Sequence, residues 1–213
     1  MKKRWLLILG ALLSLTLWGC GDTMDLGREI SLGTVSEGVY TNVYAGLRCE
    51  FDSSWTLRDA RQLQELPEDM DQLLKDPELG KDLTRFPYLW DLEADGASEG
   101  VRVYYTKLDP GSLPIFRSMN DDAVVEQVLD MQEELLAGCR EAGLEDVTLE
   151  KVPVSFLGAQ RVGLSIRGRL DGEEIRALQL YNYRLGGYGV TLTVYSEGED
   201  RREALLGMFS SLD

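Results

Sequence analysis

The sequence predicts an α+β domain, an antiparallel β-sheet of about six to seven strands sandwiched by helices, and three observations carry that prediction. Two-residue turns at Asp171-Gly172 and Gly186-Gly187 separate alternating apolar segments, which is the pattern of a hairpin meander. Val124, Val125, Val128, Leu129, Met131, Leu135, Leu136 and Cys139 recur at helical spacing after Asn120, a residue suited to cap a helix. The elements follow in the order strand, helix, strand pair, helix, four-strand meander and terminal helix, so the helices have a sheet to cover.

The N-terminus reads as a leader. Lys2, Lys3 and Arg4 precede an apolar run from Trp5 to Leu17, and then Trp18-Gly19-Cys20. The run is shorter than the roughly 20 apolar residues of a membrane-crossing helix and suits the apolar region of an export signal. Gly19-Cys20 resembles the end of the lipobox of bacterial lipoproteins, in which the cysteine becomes diacylated and N-terminal after cleavage. That resemblance implies a leader over 1–19, lipidation of Cys20, and an extracytoplasmic domain held to a membrane by acyl chains. Residues 20–38 have scattered glycines and no usable period, and are expected to be a flexible tether that holds the domain roughly 20–25 Å from the bilayer.

Residues 39–213 are the expected single domain. Leu47 to Phe51 reads as a short strand. A helix is expected from near Thr56, whose hydroxyl precedes Asp59 by three residues. Glu65 to Gly80, with Pro67 and Pro77, reads as surface loop and short helix. Tyr88 to Ala94 and Val101 to Lys107 form a hairpin across Asp95-Gly96. The Asn120-capped helix runs from Asp121 to about Ala142, with Asp121 and Asp122 at its positive end. Thr148 to Val154 feeds the meander through Phe156-Leu157-Gly158, and a last helix covers Asp200 to Leu212 with Ala204, Leu205, Met208, Phe209 and Leu212 inward.

The two meander turns fix register. Asp171-Gly172 pairs Leu170 with Glu173, Ile166 with Ala177 and Val162 with Tyr181. Gly186-Gly187 pairs Tyr183 with Val190, Tyr181 with Leu192 and Gln179 with Val194. Together they put Val162, Leu164, Ile166, Ile175, Tyr181, Tyr183, Val190, Leu192 and Val194 on one face.

Tyr40-Thr41-Asn42 leading to Phe51-Asp52-Ser53-Ser54-Trp55, the hairpin strand Asp91 to Ala94, the Asp121 helix, Phe156-Leu157-Gly158 and the closing helix resemble the PsbP-like family over residues 39–213. The resemblance implies an antiparallel sheet covered by helices and a binding or assembly role. It brings no catalytic motif.

Composition narrows the chemistry. The 213 residues include no histidine, which removes Ser-His-Asp and Cys-His nucleophile systems and histidine-ligated metals. There are 22 Lys+Arg against 37 Asp+Glu, a net charge of −15, and loss of the leader takes three positive charges more. Such a surface repels nucleic acid, so the expected partners are a membrane, through the lipid anchor, and an envelope protein. No cofactor is expected, and no enzyme activity.

Several strings admit two readings. Asp91-Leu92-Glu93-Ala94-Asp95-Gly96 opens like a calcium loop, but its twelfth position is Arg102, so a strand ending in a turn is the plainer reading. Gly186-Gly187-Tyr188-Gly189 has no helix after it and reads as a hairpin, and Gly163-Leu164-Ser165 lies inside a strand. Arg167, Arg169 and Arg176 share a face, with Arg167 opposite Arg176 and Arg169 opposite Glu174. They are candidates for anion or partner contact, or for internal ion pairs. Cys49 and Cys139 are a candidate disulfide or two separate buried thiols. The alternative function is a receptor for a small anionic ligand. A carboxylate-based hydrolase comes third and would need an aromatic-lined cleft, for which Trp55, Trp90, Tyr104 and Tyr105 are available.

Overall fold

The structure is a computed structural model that describes residues 31–63, 88–108, 111, 113–182 and 188–212. It is an α+β arrangement dominated by two antiparallel sheets. The smaller contains β1 (Thr34–Ser36), β2 (Val39–Asn42), β3 (Leu47–Glu50) and β11 (Phe209–Ser211), in the order β1-β2-β3-β11. The larger contains β4 (Thr56–Asp59), β5 (Tyr88–Asp95), β6 (Glu99–Lys107), β7 (Glu145–Phe156), β8 (Ala159–Leu170), β9 (Glu173–Asn182) and β10 (Tyr188–Glu197), in the order β4-β5-β6-β10-β9-β8-β7. The helices among the described residues are α1 (Ala60–Leu63), α2 (Leu113–Ser118), α3 (Asp121–Leu129), α4 (Gln132–Glu141) and α5 (Arg202–Leu206).

The middle strands of the large sheet are buried on both faces. Leu89, Leu92, Val101, Val103, Leu178, Leu180, Val190, Leu192 and Val194 pack with Tyr40, Leu47, Cys49 and Phe209 of the small sheet and Leu205 and Leu206 of α5. On the opposite face Leu164, Ile166, Ala177, Tyr181 and Tyr195 meet Val124, Val125 and Val128 of α3 and Leu135 and Cys139 of α4. A central strand with cores on both sides has no solvent face, and nine of the ten residues of β10 are buried.

Three hairpins match their expected turns. Asp171 and Gly172 both have positive φ, 52° and 88°, as a two-residue type I′ turn requires, and Arg167 lies opposite Arg176. Leu157 and Gly158 turn β7 into β8 in the same way, with φ of 51° and 73°. The Asp95-Gly96 corner closes on a Gly96 N–H to Glu99 carbonyl bond of 2.9 Å.

The β9–β10 pairing differs from expectation by one residue. Val190 lies opposite Asn182 and Leu192 opposite Leu180. A one-residue slip reverses every side chain, so Val190, Leu192 and Val194 face the small sheet while Leu164, Ile166 and Tyr181 face the helices. Both alternating sets are apolar enough to be core, so hydrophobicity alone could not report the slip. Tyr183 and the Gly186-Gly187 turn lie outside the described residues.

Other corrections concern helices. Thr56 begins strand β4, and the helix starts at Ala60. Asp59 caps it reciprocally: its carboxylate accepts the Gln62 N–H at 3.2 Å and its own N–H reaches Gln62 Oε1 at 3.1 Å. The helix expected over Asp121 to Ala142 is two, α3 and α4, broken at Asp130 and Met131. The closing helix stops at Leu206, and Phe209–Ser211 instead pairs with β3. The domain also begins before residue 39: Leu32 is buried, the Gly33 N–H is bonded inside the fold, and β1 pairs with β2. The last part of the expected tether, from Leu32 onward, is therefore folded.

Candidate functional site

Strand β5 carries acids at 91, 93 and 95, and a bulge decides where they go. Trp90 lies opposite Tyr104 but Leu92 lies opposite Val103, which leaves Asp91 as the extra residue. The acids of the calcium-like string therefore do not converge. Asp91 bonds to the small sheet, whereas Glu93 and Asp95 bond to Arg102 on β6. Among the described residues no group of three acids or cysteines is placed to hold a metal ion.

Asp91 is fully buried between the sheets. Its carboxyl accepts the Gly33 N–H at 2.6 Å, the Tyr40 hydroxyl at 2.5 Å and Asn42 Nδ2 at 2.5 Å. Asn42 Nδ2 also lies 2.6 Å from the Tyr105 hydroxyl, which donates to the Ser31 carbonyl at 3.0 Å. A side chain at Gly33 would strike Tyr40 and Asp91, so only glycine brings that N–H close enough. Burial pushes the Asp91 carboxyl up to about 6, against the pull of its three donors, with a further push from Asp59. Burial, with Asp91 beside them, likewise raises the hydroxyls of Tyr40 and Tyr105.

The helix-facing side of the large sheet carries a second polar group. Cross-strand pairs line up Arg58, Glu93, Arg102, Thr193 and Gln179 over β4, β5, β6, β10 and β9. Two residues along, Trp90, Tyr104, Thr191 and Tyr181 form a second row on the same face. Arg102 is 2% exposed. It donates to the Ala94 and Val101 carbonyls, each at 2.9 Å, and to Asp95 at 2.6 Å, and stacks over the Tyr195 ring at 5.3 Å. Glu93 Oε1 is held by Arg58 and lies 3.6 Å from Arg102 Nη2. Gly100, opposite Tyr195, leaves room for that ring, whose hydroxyl donates to Asp95 at 2.8 Å. Three buried polar atoms here lack hydrogen-bond partners: Glu93 Oε2, Arg102 Nε and Thr191 Oγ1.

The arginines singled out from sequence lie on the opposite face from Arg102, toward one end of β8 and β9. Arg169 donates to the Gly172 carbonyl at 3.0 Å. Arg176 bonds the Gly198 carbonyl and pairs with Glu174 at 2.5 Å. Arg167 is exposed opposite Arg176, without an acidic partner among the described residues. Internal partners thus satisfy two of the three.

Cys49 and Cys139 are free thiols, not a disulfide. Cys49 sits in the core against the small sheet and Cys139 in the core under the helices, so the large sheet separates them. Burial pushes the first up to about 12 and the second up to about 11, which leaves both unreactive. Cys20 lies outside the described residues.

Sequence reading missed Arg102, Glu93, Thr191, Thr193 and Gln179 as a group. Val101-Arg102-Val103 and Val190-Thr191-Leu192-Thr193-Val194 alternate as a half-exposed strand would. The available signal was position: both strands are central in the sheet and covered on both sides, so their polar residues must be interior. No family model matches the chain, and no curated protein matches it.

Proposed function

We propose that this chain is a bacterial lipoprotein with a PsbP-like domain, anchored outside the cytoplasm through acylated Cys20, that acts by binding an envelope protein and not by turnover. The leader, Gly19-Cys20 and the acidic composition support the address. One observation supports the non-catalytic reading. The two interior carboxylates, Asp91 and Glu93, point to opposite sides of β5, each fixed by donors of the fold, so they cannot share a substrate as an acid and base pair. Exposed Arg167, facing Arg176 in an acidic chain, supplies a contact for an acidic segment of the partner.

In-cell cross-linking of the lipidated protein tests this reading. A stoichiometric envelope protein, lost with Arg167→Glu, is the expected result, and capture unchanged by that substitution overturns the contact. Cys20→Ser is expected to leave the protein unprocessed or soluble. If the variant still takes acyl label and stays with membranes, the anchor assignment fails.

A second reading, a small-molecule receptor, is favoured by the three unpartnered buried atoms around Arg102. An anion on the arginine face gains less support, because Arg169 and Arg176 already have internal acceptors.

A further inference from the structure

We propose that the end of the domain formed by the β2–β3 turn, the β7–β8 turn and α2 is a membrane-docking face that settles on the bilayer holding the Cys20 anchor. The inference rests on the anchored-lipoprotein reading and deepens it by naming the surface that meets the lipid.

Val43, Ile115 and Leu157 are the large apolar side chains left exposed among the described residues, at 77%, 58% and 40%. Single apolar residues scattered over a surface need no explanation. These three are not scattered. The sheet registers put the end of β6 at Lys107, the start of β10 at Tyr188 and the Leu157-Gly158 turn at one end of the large sheet. Val43 follows Asn42, whose Nδ2 lies 2.6 Å from the Tyr105 hydroxyl, and precedes Tyr44, whose ring lies 5.5 Å from that of Tyr105. Tyr105 is two residues from the end of β6, so the β2–β3 turn lies at that same end. Ile115 belongs to α2, which bridges it: Leu108 before the helix continues β6, and Asp121 after it accepts Arg161 Nη2 of β8 at 3.1 Å.

Charge separates the two ends of the sheet. Residues 42–46, 113–118 and 155–160 hold no acid in a chain with 37, and Arg117 is their one charged residue. The opposite end exposes Glu37, Asp52, Asp146, Asp171, Glu173 and Glu199. Leu157 also breaks a local rule. Its φ of 51° is the first position of a two-residue turn, where Asn or Gly is unstrained and leucine is not, so an apolar side chain is held there at a cost to the fold.

The anchor enters at the apolar end. The Ser31 carbonyl accepts the Tyr105 hydroxyl at 3.0 Å, the Gly33 N–H reaches Asp91 farther along the sheet, and β1 runs on toward the Glu37 turn. Cys20 precedes Ser31 by eleven residues, a span of at most about 40 Å. The acidic end lies about 30 Å farther off, the length of nine-residue β6. The short lead therefore brings the apolar turns to the bilayer first and leaves the acids away from anionic headgroups. Arg167 and Arg176, toward the acidic end, are then turned outward to an envelope partner.

The test uses the full chain, expressed with its leader, purified from membranes and reconstituted into phosphatidylcholine–phosphatidylglycerol vesicles with brominated acyl chains. A bimane label is placed on Val43→Cys, on Leu157→Cys or, at the opposite end, on Glu173→Cys. Cys49 and Cys139 are buried and stay unlabelled. Bromine is expected to quench the labels at 43 and 157 and to leave the label at 173 unchanged. Leu157→Asn with Ile115→Gln is expected to remove most of the quenching at 43. Leu157→Asn alone is expected to keep or raise the melting temperature, because asparagine suits the turn, so the loss is not one of folding. Equal quenching at all three positions describes a domain that tumbles on its anchor, and it overturns the face. So does quenching at 43 that the double substitution leaves intact. Emission that changes with protein concentration and not with lipid puts a second copy on the turns and overturns the membrane as their occupant. A purified chain that carries no acyl group and leaves the vesicles sinks the anchor reading and this one together, whereas equal quenching of a chain that stays with them sinks only the face.

Discussion

Asp91 shows what one misplaced-looking residue does. An acid in the middle of a strand that faces an apolar core is unfavourable, yet the bulge at Asp91 turns its carboxyl onto Gly33, Tyr40 and Asn42 and so fastens the small sheet to the large one. Because burial raises it from an ordinary 3.8 to about 6, the folded state holds this proton to higher pH than the unfolded chain does. Folding therefore takes up a proton between about pH 4 and about pH 6. The stability that Asp91 contributes is complete below that window and is lost as pH rises through about 6, by up to about 3 kcal/mol. Urea midpoints measured from pH 4 to pH 8 are expected to slope downward more steeply in the parent than in Asp91→Asn, which cannot ionise. Equal slopes would show that the carboxyl titrates in its ordinary range. Asp52 and Asp200, held low by hydrogen bonds from Ser54 and Arg202, act in the opposite sense and are common to both proteins.

Single elements differ in how far their own residues specify them. Helix α3 is specified locally: Asn120 Oδ1 accepts the Ala123 N–H at 2.9 Å, and Asp121 and Asp122 occupy the first turn. Asn120→Ala is expected to cost about 1 kcal/mol in chemical denaturation, and Asn120→Ser to restore most of it. A neutral Asn120→Ala would mean that packing of Val124, Val125 and Val128 alone holds the helix. The β5–β6, β7–β8 and β8–β9 hairpins were legible for the same reason, since each turn lies within the segment that it folds. Of the small sheet only β3, expected over Leu47 to Phe51, was legible. Its strands have three or four residues, and β11 joins β3 across most of the chain, a pairing that no local signal encodes. Phe209 illustrates the ambiguity: its spacing from Leu205 fits a helix face, while its ring packs 5.9 Å from Phe156 as part of a strand. The polar rows were illegible because Arg102 and Thr191 look like surface until both coverings of the sheet are known.

At the scale of the molecule, one sheet is shared by two cores, and this makes a claim about cooperativity. Leu178 and Leu180 face the small sheet while Ala177 and Tyr181, their neighbours on β9, face the helices, so neither core can open without disturbing the strand that supports the other. The Asp91 bonds add a polar tie across the first interface, and the Arg161 guanidinium ties β8 to Asp121 of α3 across the second. Unfolding is therefore expected to be all-or-none for the described residues. The two cysteines report it from within, since Cys49 belongs to one core and Cys139 to the other, and burial keeps both thiols protonated in the folded state. In a Cys20→Ser background, pulse alkylation along a urea gradient, read by peptide mass spectrometry, should give one midpoint for both thiols. An earlier midpoint for Cys49 would mean that β1, β2, β3 and β11 peel away as a separate cooperative unit, and that Asp91 decorates the sheet interface without coupling it.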